Sequence, residues 1–396
     1  MTRLPITLLW VVLLMSLNGL KVQAQVAAQD SLALVALYNA TDGPNWADNT
    51  NWLSSPVPSW HGVQTSGDRV IILDLADNQL NGSLTEEIWN LTSLQSLSLS
   101  NNQISGSIPS AVANLSDLVI LELDQNQISS TIPKELGNLR DVVILKLDYN
   151  QLIGTIPKEL RNLTGLLELG LAHNQLIGTI PNELGFLANI QRLRLSSNNL
   201  IGTIPSILGN LRGLLELDLS NNQLSGIIPT GLGSLDALLE LFLNSNPFTG
   251  NIPSSFTNLS MLVTFNFADT DLCEPPDQAF QTWLQGVQNL TSTGITCVPT
   301  ATENREALPS EYVLESNYPN PFNPTTLIRY ALPQRAPVRL SVYDVQGRRV
   351  AVLVALEQPA GWHEVRFEAG ALPSGVYFYR LEAGAFREVR QMLLLR

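Results

Sequence analysis

The stretch "HNQLIGTIPNEL", from His173 to Leu184, copies with two changes the stretch "YNQLIGTIPKEL", from Tyr149 to Leu160, which lies 24 residues earlier. The same 24-residue period extends in both directions along the chain. Self-similarity at a fixed period of this length is typical of repeat proteins, in which each copy is one structural unit that contacts its neighbours. The period therefore decides the fold before any single residue is considered.

Eight full copies and a degenerate ninth copy follow from this register. One copy reads "LLELDLSNNQLSGIIPTGLGSLDA", from Leu214 to Ala237. Its "LxLxxN" segment alternates apolar and polar residues, which predicts a short strand with one buried face. The copies begin at Val70, Leu94, Leu118, Val142, Leu166, Ile190, Leu214 and Leu238, and the ninth begins at Leu262.

Two columns of residues recur within this strand segment. A leucine in each copy is predicted to stack inward, and an asparagine follows it five residues later. An Asn amide has both donors and acceptors, so at a buried turn it can satisfy backbone groups of its own and neighbouring coils. The leucines are Leu73, Leu97, Leu121, Leu145, Leu169, Leu193, Leu217 and Leu241. The predicted asparagine ladder is Asn78, Asn102, Asn126, Asn150, Asn174, Asn198, Asn222 and Asn246.

Each copy then bends at a Gly and turns back at a Pro. The Gly suits a bend that needs unusual φ, and the Pro fixes φ before a short helical or irregular return. Ser130 interrupts the Gly column, and Thr85 replaces the Pro in the first copy. One coil cannot bury its own apolar face, whereas a stack of coils can. The copies therefore predict a curved solenoid with a parallel sheet on its inner wall.

The pattern "LxxLxxLxLxxNxLxGxIPxxLxxLxx" resembles the plant-type leucine-rich repeat, which occurs in receptor ectodomains, polygalacturonase-inhibiting proteins and many bacterial surface proteins. The resemblance covers about half of the chain. It implies an α/β leucine-rich-repeat solenoid over residues 70–261, with the parallel sheet on the concave face.

Both ends of the stack need a cap. Residues 25–69 combine a helical pattern with a Trp-rich segment and resemble the N-terminal cap of this family. In this segment, we expect Trp46, Trp52 and Trp60 to be buried in the core rather than to form a platform for a sugar. Plant members usually close a "WxGVxC" phrase with a Cys, but this chain reads "WHGVQT", so a cap disulfide is excluded. Residues 262–297, which contain the ninth copy and the segment after it, are predicted to form the C-terminal cap.

Residues 1–24 predict an export signal. Arg3 supplies the positive start and "LLWVVLLMSL", from Leu8 to Leu17, the apolar core; cleavage is expected after Ala24. No other apolar stretch approaches the length of a membrane span, so the mature chain is predicted to have no transmembrane segment.

Export would place the two cysteines of the chain, Cys273 and Cys297, in an oxidising compartment. In an oxidising compartment, a single pair predicts a disulfide, and a closed loop of this size contributes roughly 3 kcal/mol. The alternative is two buried free thiols.

The remainder of the chain has a different character. Residues 298–317 lose the period and predict a polar linker, whereas residues 318–396 contain several short alternating segments that predict a small all-β Ig-like sandwich. The phrases "YPNPFNPTT", "VYDVQGRRV" and "LPSGVYFYRL" resemble the C-terminal sorting domain of type IX secretion cargo. This resemblance implies contact with the type IX secretion machinery, passage across an outer membrane, and either attachment to the cell surface or release. The alternative is a generic Ig-like accessory module.

Charge and motifs exclude several classes of function. The formal net charge is −13, and residues 26–317 hold 10 Lys and Arg against 29 Asp and Glu, which disfavours nucleic acid as a partner. The three histidines, His61, His173 and His363, are scattered, and no HExxH, CxxC or P-loop motif occurs. We therefore predict no enzyme, no metal and no cofactor, and we expect a monomer.

The positions whose residues vary from copy to copy are the candidates for a functional role. Side chains between and just after the inward leucines face the concave side, where such solenoids offer extended binding surfaces. Aromatic residues and Arg are enriched at interface hot spots. The predicted partner-binding residues are Glu122, Asp124, Lys146, Asp148, Tyr149, His173, Arg192, Arg194, Glu216, Asp218, Glu240, Phe242 and Asn244. The alternative is that they form a solvated face with internal ion pairs.

The sequence thus favours an exported or surface-attached protein that recognises a protein or glycan through its concave face. A second hypothesis is an inhibitor of, or accessory to, a secreted polysaccharide hydrolase. A third is a structural surface or ice-binding protein. The third requires a uniform row of Thr or Asn on an exposed face, and the mixed charges of the inner wall argue against it.

Overall fold

The computed structural model describes residues 26–297, 311–370 and 372–395, which form two compact units divided after Cys297. The predicted export signal and residues 298–310 of the predicted linker lie outside the described residues.

The first unit is a solenoid whose inner wall is an 11-stranded sheet, with one strand from each of the nine copies and one from each cap. The strands from β2 onward pair in parallel and in register, so that Leu169 lies opposite Leu145 and Leu193 on the neighbouring strands. All eight predicted leucines are buried, which confirms the solenoid. Numbered along the chain, the strands are β1 (Val63–Ser66), β2 (Arg69–Asp74), β4 (Ser96–Ser98), β6 (Ile120–Glu122), β8 (Ile144–Lys146), β10 (Glu168–Gly170), β12 (Arg192–Arg194), β14 (Glu216–Asp218), β16 (Glu240–Phe242), β18 (Thr264–Asn266) and β20 (Asn289–Thr291).

The asparagine ladder connects the coils as expected. Asn174 donates from Nδ2 to the carbonyl oxygens of Leu147 in the preceding coil, at 3.0 Å, and of Leu171 in its own coil, at 3.2 Å. Its Oδ1 accepts a hydrogen bond from the N–H of Leu152 at 3.0 Å. Because buried backbone groups must be satisfied, each amide stabilises two coils at once.

A second sheet follows the ladder in each coil, and the repeat pattern did not predict it. Seven parallel strands form it, and a two-stranded pair continues beside it. The strands are β3 (Asn81–Ser83), β5 (Gln103–Gly106), β7 (Gln127–Thr131), β9 (Gln151–Gly154), β11 (Gln175–Thr179), β13 (Asn199–Gly202) and β15 (Gln223–Leu224), and the pair is β17 (Thr249–Asn251) with β19 (Asp271–Cys273).

The return segment of each of the eight full copies is a single 3-10 helix, preceded by Thr85 in the first copy and by a Pro in the others. Pro cannot donate a backbone hydrogen bond, so it occupies the position before the helix, where no donor is needed. These helices are Glu86–Asn90, Ser110–Asn114, Lys134–Asn138, Lys158–Asn162, Asn182–Phe186, Ser206–Asn210, Thr230–Ser234 and Ser254–Asn258, and two more in the N-terminal cap are Gly43–Asn45 and Val57–Ser59.

The N-terminal cap covers the first coil with helix α1 (Ala28–Ala40) and a tryptophan cluster. Trp46, Trp52 and Trp60 are buried and lie edge-on or tilted against one another, with centroids 4.6–4.8 Å apart. Asp30 is fully buried, where it accepts hydrogen bonds from Arg69 and from the N–H of Val70. The tryptophans are therefore core, as expected.

The C-terminal cap contains helix α2 (Gln278–Gly286) and a disulfide between Cys273 and Cys297, whose Cα atoms are 4.8 Å apart. Phe280 and Leu284 of the helix are buried against the last coil. The predicted disulfide is thus present, and the alternative of two free thiols is wrong.

The second unit consists of a three-stranded and a four-stranded antiparallel sheet around one core. A strand lies at 313–314, within the segment predicted to be linker, and Tyr379 ties this segment to the core by donating to the carbonyl of Glu315 at 2.7 Å. The strands are β21 (Val313–Leu314), β22 (Thr325–Leu332), β23 (Ala336–Tyr343), β24 (Arg349–Gln358), β25 (Gly361–Glu368), β26 (Gly375–Ala383) and β27 (Phe386–Leu394).

Candidate functional site

The concave wall holds an ion cluster at the centre of the solenoid. Arg194 donates to Glu216 from Nε at 2.6 Å and from Nη2 at 2.7 Å, and it donates to Glu168 from Nη1 at 2.7 Å. Arg192 lies 3.7 Å from the same two carboxylates. Burial lowers the pKa of Arg194, but the hydrogen bonds and charges of Glu216 and Glu168 outweigh it and raise that pKa above its ordinary value. Both arginines are therefore already paired within the wall.

Glu168 belongs to this cluster but was not among the residues predicted from the sequence. Glu168, Arg192 and Glu216 are direct neighbours on strands β10, β12 and β14. Aligning the copies position by position would have placed a carboxylate on each side of Arg192, which is the signal that identifies this residue.

Lys146 is the third cation of the wall, and it donates to Glu122 at 2.9 Å. Over the eight full copies, the wall thus has three cations against nine carboxylates, and each of the three described cations has a carboxylate partner. The carboxylates are Asp74, Asp77, Glu122, Asp124, Asp148, Glu168, Glu216, Asp218 and Glu240. The wall is acidic, and its positive charges are compensated internally.

Asp148 occupies a space that Gly170 leaves open. A Cβ on Gly170 would lie 1.9 Å from Oδ2 of Asp148, so any side chain at residue 170 would collide with this carboxylate. Oδ1 of Asp148 accepts the N–H of Ala172 at 2.8 Å. The residue is 8% exposed, and burial raises the pKa of its carboxyl to about 6. Burial against the next coil, rather than an ion pair, therefore decides its protonation.

Tyr149 and His173 form a stacked pair at the edge of the wall, with ring centroids 4.0 Å apart and planes 11° from parallel. Both residues have φ of 53°, because the residue before each ladder asparagine adopts the left-handed conformation. Tyr149 is 53% exposed. The stack presents aromatic surface to solvent directly beside Asp148.

The other predicted residues lie on the wall without joining one cluster. Asp124 accepts a hydrogen bond from the hydroxyl of Ser100, and Asp218 accepts from the hydroxyl of Ser220 at 2.7 Å. Glu240, Phe242 and Asn244 are partly exposed on the coil after Asp218. The structure therefore forms a Glu168–Arg194–Glu216 cluster, with Arg192 beside it, and a separate Lys146–Glu122 pair, and the remaining predicted residues lie outside both.

The described residues meet the requirements of neither a metal-binding cluster nor a membrane-spanning helix. Within residues 26–297, 311–370 and 372–395, no group of three or more His, Cys, Asp or Glu is arranged to hold a metal ion. Among the helices of the described part of the chain, none has the length and apolar character needed to cross a membrane.

Comparisons with known proteins fit this geometry. Residues 69–194 match the family model of a leucine-rich repeat region, residues 188–248 that of a leucine rich repeat, and residues 316–394 that of a secretion system C-terminal sorting domain. No curated protein matches the chain in sequence.

Three solved plant structures are similar to the chain. The leucine-rich-repeat ectodomain of the Arabidopsis thaliana receptor kinase GASSHO1/SCHENGEN3, in complex with CASPARIAN STRIP INTEGRITY FACTOR 2, is 32% identical over 65% of this chain and 34% of that one, with a TM-score of 0.55. The Arabidopsis receptor kinase HAESA, in complex with the peptide hormone IDA and the co-receptor SERK1, is 30% identical over 63% and 47%, with a TM-score of 0.53. A plant ice-binding protein is 26% identical over 70% of this chain and all of its own, with a TM-score of 0.55.

The chain thus spans about a third to a half of the two receptor structures. The sorting domain indicates export, followed by surface attachment or secretion. Residues 69–248 of this exported protein therefore match leucine-rich repeats, and residues 316–394 match the C-terminal sorting domain of a secretion system.

Proposed function

We propose that this protein recognises a protein or glycan partner through the concave wall of its solenoid. The observation that carries the proposal is the exposed stack of Tyr149 and His173 beside the buried carboxylate of Asp148. Tyr is enriched at interface hot spots, and this stack offers aromatic surface that a partner would bury. Because the wall cations are already paired and carboxylates predominate, the expected partner presents cationic groups.

The two receptor structures support this proposal. Both are leucine-rich-repeat receptors solved in complex with a ligand, CASPARIAN STRIP INTEGRITY FACTOR 2 in one and the peptide hormone IDA in the other. Since this chain spans only part of those receptors, the class of ligand is carried over as part of the proposal.

A binding experiment tests the wall directly. The immobilised chain is presented with synthetic peptides of net positive, neutral and negative charge and with a glycan array, and a variant with Tyr149→Ala and His173→Ala is compared with it. Loss of two hot-spot side chains should weaken binding of the cationic probes at least about tenfold. Gln125→Ala with Ser197→Ala is the matched control, because these residues occupy the same backbone position in flanking coils. Equal binding by all three chains would refute the proposal.

The sorting domain is proposed to direct passage across the outer membrane and attachment to the surface. Deleting residues 311–396, which removes the whole described second unit including β21, should retain the solenoid inside the cell of its native host. If the truncated chain still reaches the exterior, this assignment is wrong.

An alternative role is that of an inhibitor of, or accessory to, a secreted polysaccharide hydrolase. The leucine-rich-repeat fold is typically non-enzymatic, so such a role would act through binding rather than through catalysis. Measuring hydrolase rates with and without the purified chain discriminates the two: a changed rate favours this alternative, and unchanged rates with retained binding favour simple recognition.

A second candidate function is ice binding. The specific observation in its favour is a column of threonines at one repeat position, at the ends of the second-sheet strands: Thr131, Thr155, Thr179 and Thr203. The similarity to a plant ice-binding protein over all of that protein's length adds support. Inhibition of ice recrystallisation by the purified chain tests it.

A further inference from the structure

The second sheet presents a regular outward face to solvent. Along β9 and the residue after it, Gln151, Ile153 and Thr155 alternate with buried or inward residues, and the same alternation recurs in the adjacent coils. We call this surface the second-sheet face. It comprises Gln127, Ser129, Thr131, Gln151, Ile153, Thr155, Gln175, Ile177, Thr179, Asn199, Ile201 and Thr203.

The isoleucines of this face have no role in the core. Ile153, Ile177 and Ile201 are 46%, 52% and 47% exposed. The adjacent inward positions, such as Leu152 and Leu176, are fully buried and already fill the interior of each coil. Isolated exposed apolar residues are normal, whereas exposed isoleucines at the same position of three successive coils form an apolar stripe.

Each threonine methyl lies against a glycine of the next coil. A Cβ on Gly154 would lie 2.8 Å from Cγ2 of Thr131, and a Cβ on Gly178 would lie 2.9 Å from Cγ2 of Thr155. Each threonine methyl therefore occupies space that the following glycine leaves free. Because a β-branched side chain is also restricted at χ1, few rotamers place the threonine methyl in this space.

The threonine hydroxyls are free of protein partners. In the described part of the chain, the hydroxyl of Ser129 donates to the carbonyl of Gly106 at 3.2 Å, but those of Thr131, Thr155 and Thr179 make no hydrogen bond to protein groups. Unused hydroxyls beside exposed methyl groups form a surface that offers both hydrogen bonds and apolar contact.

The second-sheet face is also uncharged, unlike the concave wall. None of its twelve side chains is charged, although the chain has a formal net charge of −13. Binding of a neutral partner to such a face costs no desolvation of ions. The face has no aromatic residue either, which disfavours a sugar ring held by stacking.

The face repeats by translation. Neighbouring strands lie about 4.8 Å apart, and alternate residues along a strand lie about 6.7 Å apart. Cross-strand pairing places Thr131 beside Ile153 and Ile153 beside Gln175, so a line across the coils runs from a threonine through an isoleucine to a side-chain amide. The same order recurs two coils later at Thr179, Ile201 and Gln223. A partner that matches this neutral lattice of hydroxyl, methyl and amide groups is itself neutral and periodic, which is the chemistry of a crystalline water surface.

We propose that the second-sheet face binds ice, with Thr131, Thr155, Thr179, Thr203 and the adjoining isoleucines as the contact residues. This inference rests on the second candidate function and names its surface. It is independent of the concave wall, which lies on the other sheet.

A groove of about 1060 Å³ borders the threonine column, and its far side holds Lys134, Glu135, Lys158 and Glu159. A neutral glycan chain lying in this groove is the competing occupant. It would need the charged side of the groove, whereas an ice surface would contact only the uncharged face.

The test compares ice recrystallisation by the full chain and three double variants. Thr155→Glu with Thr179→Glu places two charges on the face and should raise the concentration needed for inhibition at least about tenfold. Thr164→Glu with Asn210→Glu adds the same charge at exposed positions outside the face, and Lys134→Ala with Lys158→Ala alters the groove alone. Both controls should retain the activity of the wild-type chain, and circular dichroism should show that every variant is folded.

Each result decides the matter differently. Wild-type activity that survives Thr155→Glu with Thr179→Glu would overturn the assignment to this face while leaving ice binding in place. A wild-type chain without any effect on ice growth would overturn the second candidate function together with the assignment. Binding to insoluble cellulose that Lys134→Ala with Lys158→Ala abolishes, without ice activity, would show that the occupant is a glycan.

Discussion

Arg194 bridges two coils by donating to Glu168 on one side and, through two nitrogen atoms, to Glu216 on the other. Arg192 faces the same carboxylates at 3.7 Å and makes no comparably short contact. The two arginines differ little in sequence context, but only Arg194 adopts the two-sided geometry that satisfies both glutamates.

Replacing Arg194 by Ala should lower the free energy of unfolding by about 1–2 kcal/mol, because it leaves two mostly buried carboxylates without their close partner. Arg192→Ala is the matched control, and its longer contacts predict a loss within about 0.5 kcal/mol. Urea unfolding followed by circular dichroism measures both, provided the slope is unchanged. Equal losses would contradict the geometry.

The raised pKa of Asp148 predicts that the stability of the fold depends on pH. Its folded pKa of about 6 lies above the unfolded value of 3.8, so the protonated form is favoured by folding. The stability that this group contributes is therefore full below about pH 4 and is lost as the pH rises through about 6.

The variant Asp148→Asn removes this titration and should keep the hydrogen bond from Ala172. Relative to the variant, the wild-type chain should lose up to about 2–3 kcal/mol of unfolding free energy between pH 4 and pH 7. Asp218→Asn, at a partly exposed carboxylate, serves as the control. A pH-independent difference between Asp148→Asn and wild type would sink this interpretation.

Ser130 stands in the glycine column and has φ of 86°, a conformation that side chains other than Gly rarely adopt. Ser130→Gly should therefore raise the free energy of unfolding by about 1 kcal/mol. Gly154→Ser is the reverse change in the next coil, and it should be destabilising because its Cβ would also approach Thr131. Thermal unfolding midpoints of both variants check the prediction, which fails if they shift in the same direction.

The disulfide between Cys273 and Cys297 closes a loop at the last coil. Replacing both residues by Ser should cost about 3 kcal/mol, if loop entropy in the unfolded state dominates. Wild-type chain with reductant should then resemble the double variant, and reductant should have no effect on the variant itself. Unchanged unfolding of the reduced wild-type chain would show that the cap needs no cross-link.

The inner sheet could be predicted from the sequence because its leucines and asparagines recur in all eight full copies. The second sheet could not, since Gly and Pro within "QLIGTIP" indicate bends and conceal the alternation of Gln, Ile and Thr. This difference bears on function. The mixed charges that argued against ice binding belong to the inner wall alone, whereas the uniform threonine row lies on the other sheet.

The position of the concave site could be predicted from the sequence, but the contacts within it could be predicted only in part. Periodicity places Tyr149 and His173 in equivalent positions of adjacent coils, and their stacking follows from that. Whether Arg194 is free or paired depends on side-chain rotamers and on Glu168 of the preceding coil. Neither can be read from the sequence of one copy. The burial of Asp148 depends on the absence of a side chain at Gly170, a contact between different coils.

The glycine that seats each threonine methyl belongs to the following coil, so no copy completes its own surface. Duplicating one 24-residue segment would therefore add one threonine to the column together with one glycine that leaves space for a threonine methyl. A gene that expands or contracts by whole segments can adjust the extent of this surface in fixed increments without any new side-chain packing being invented.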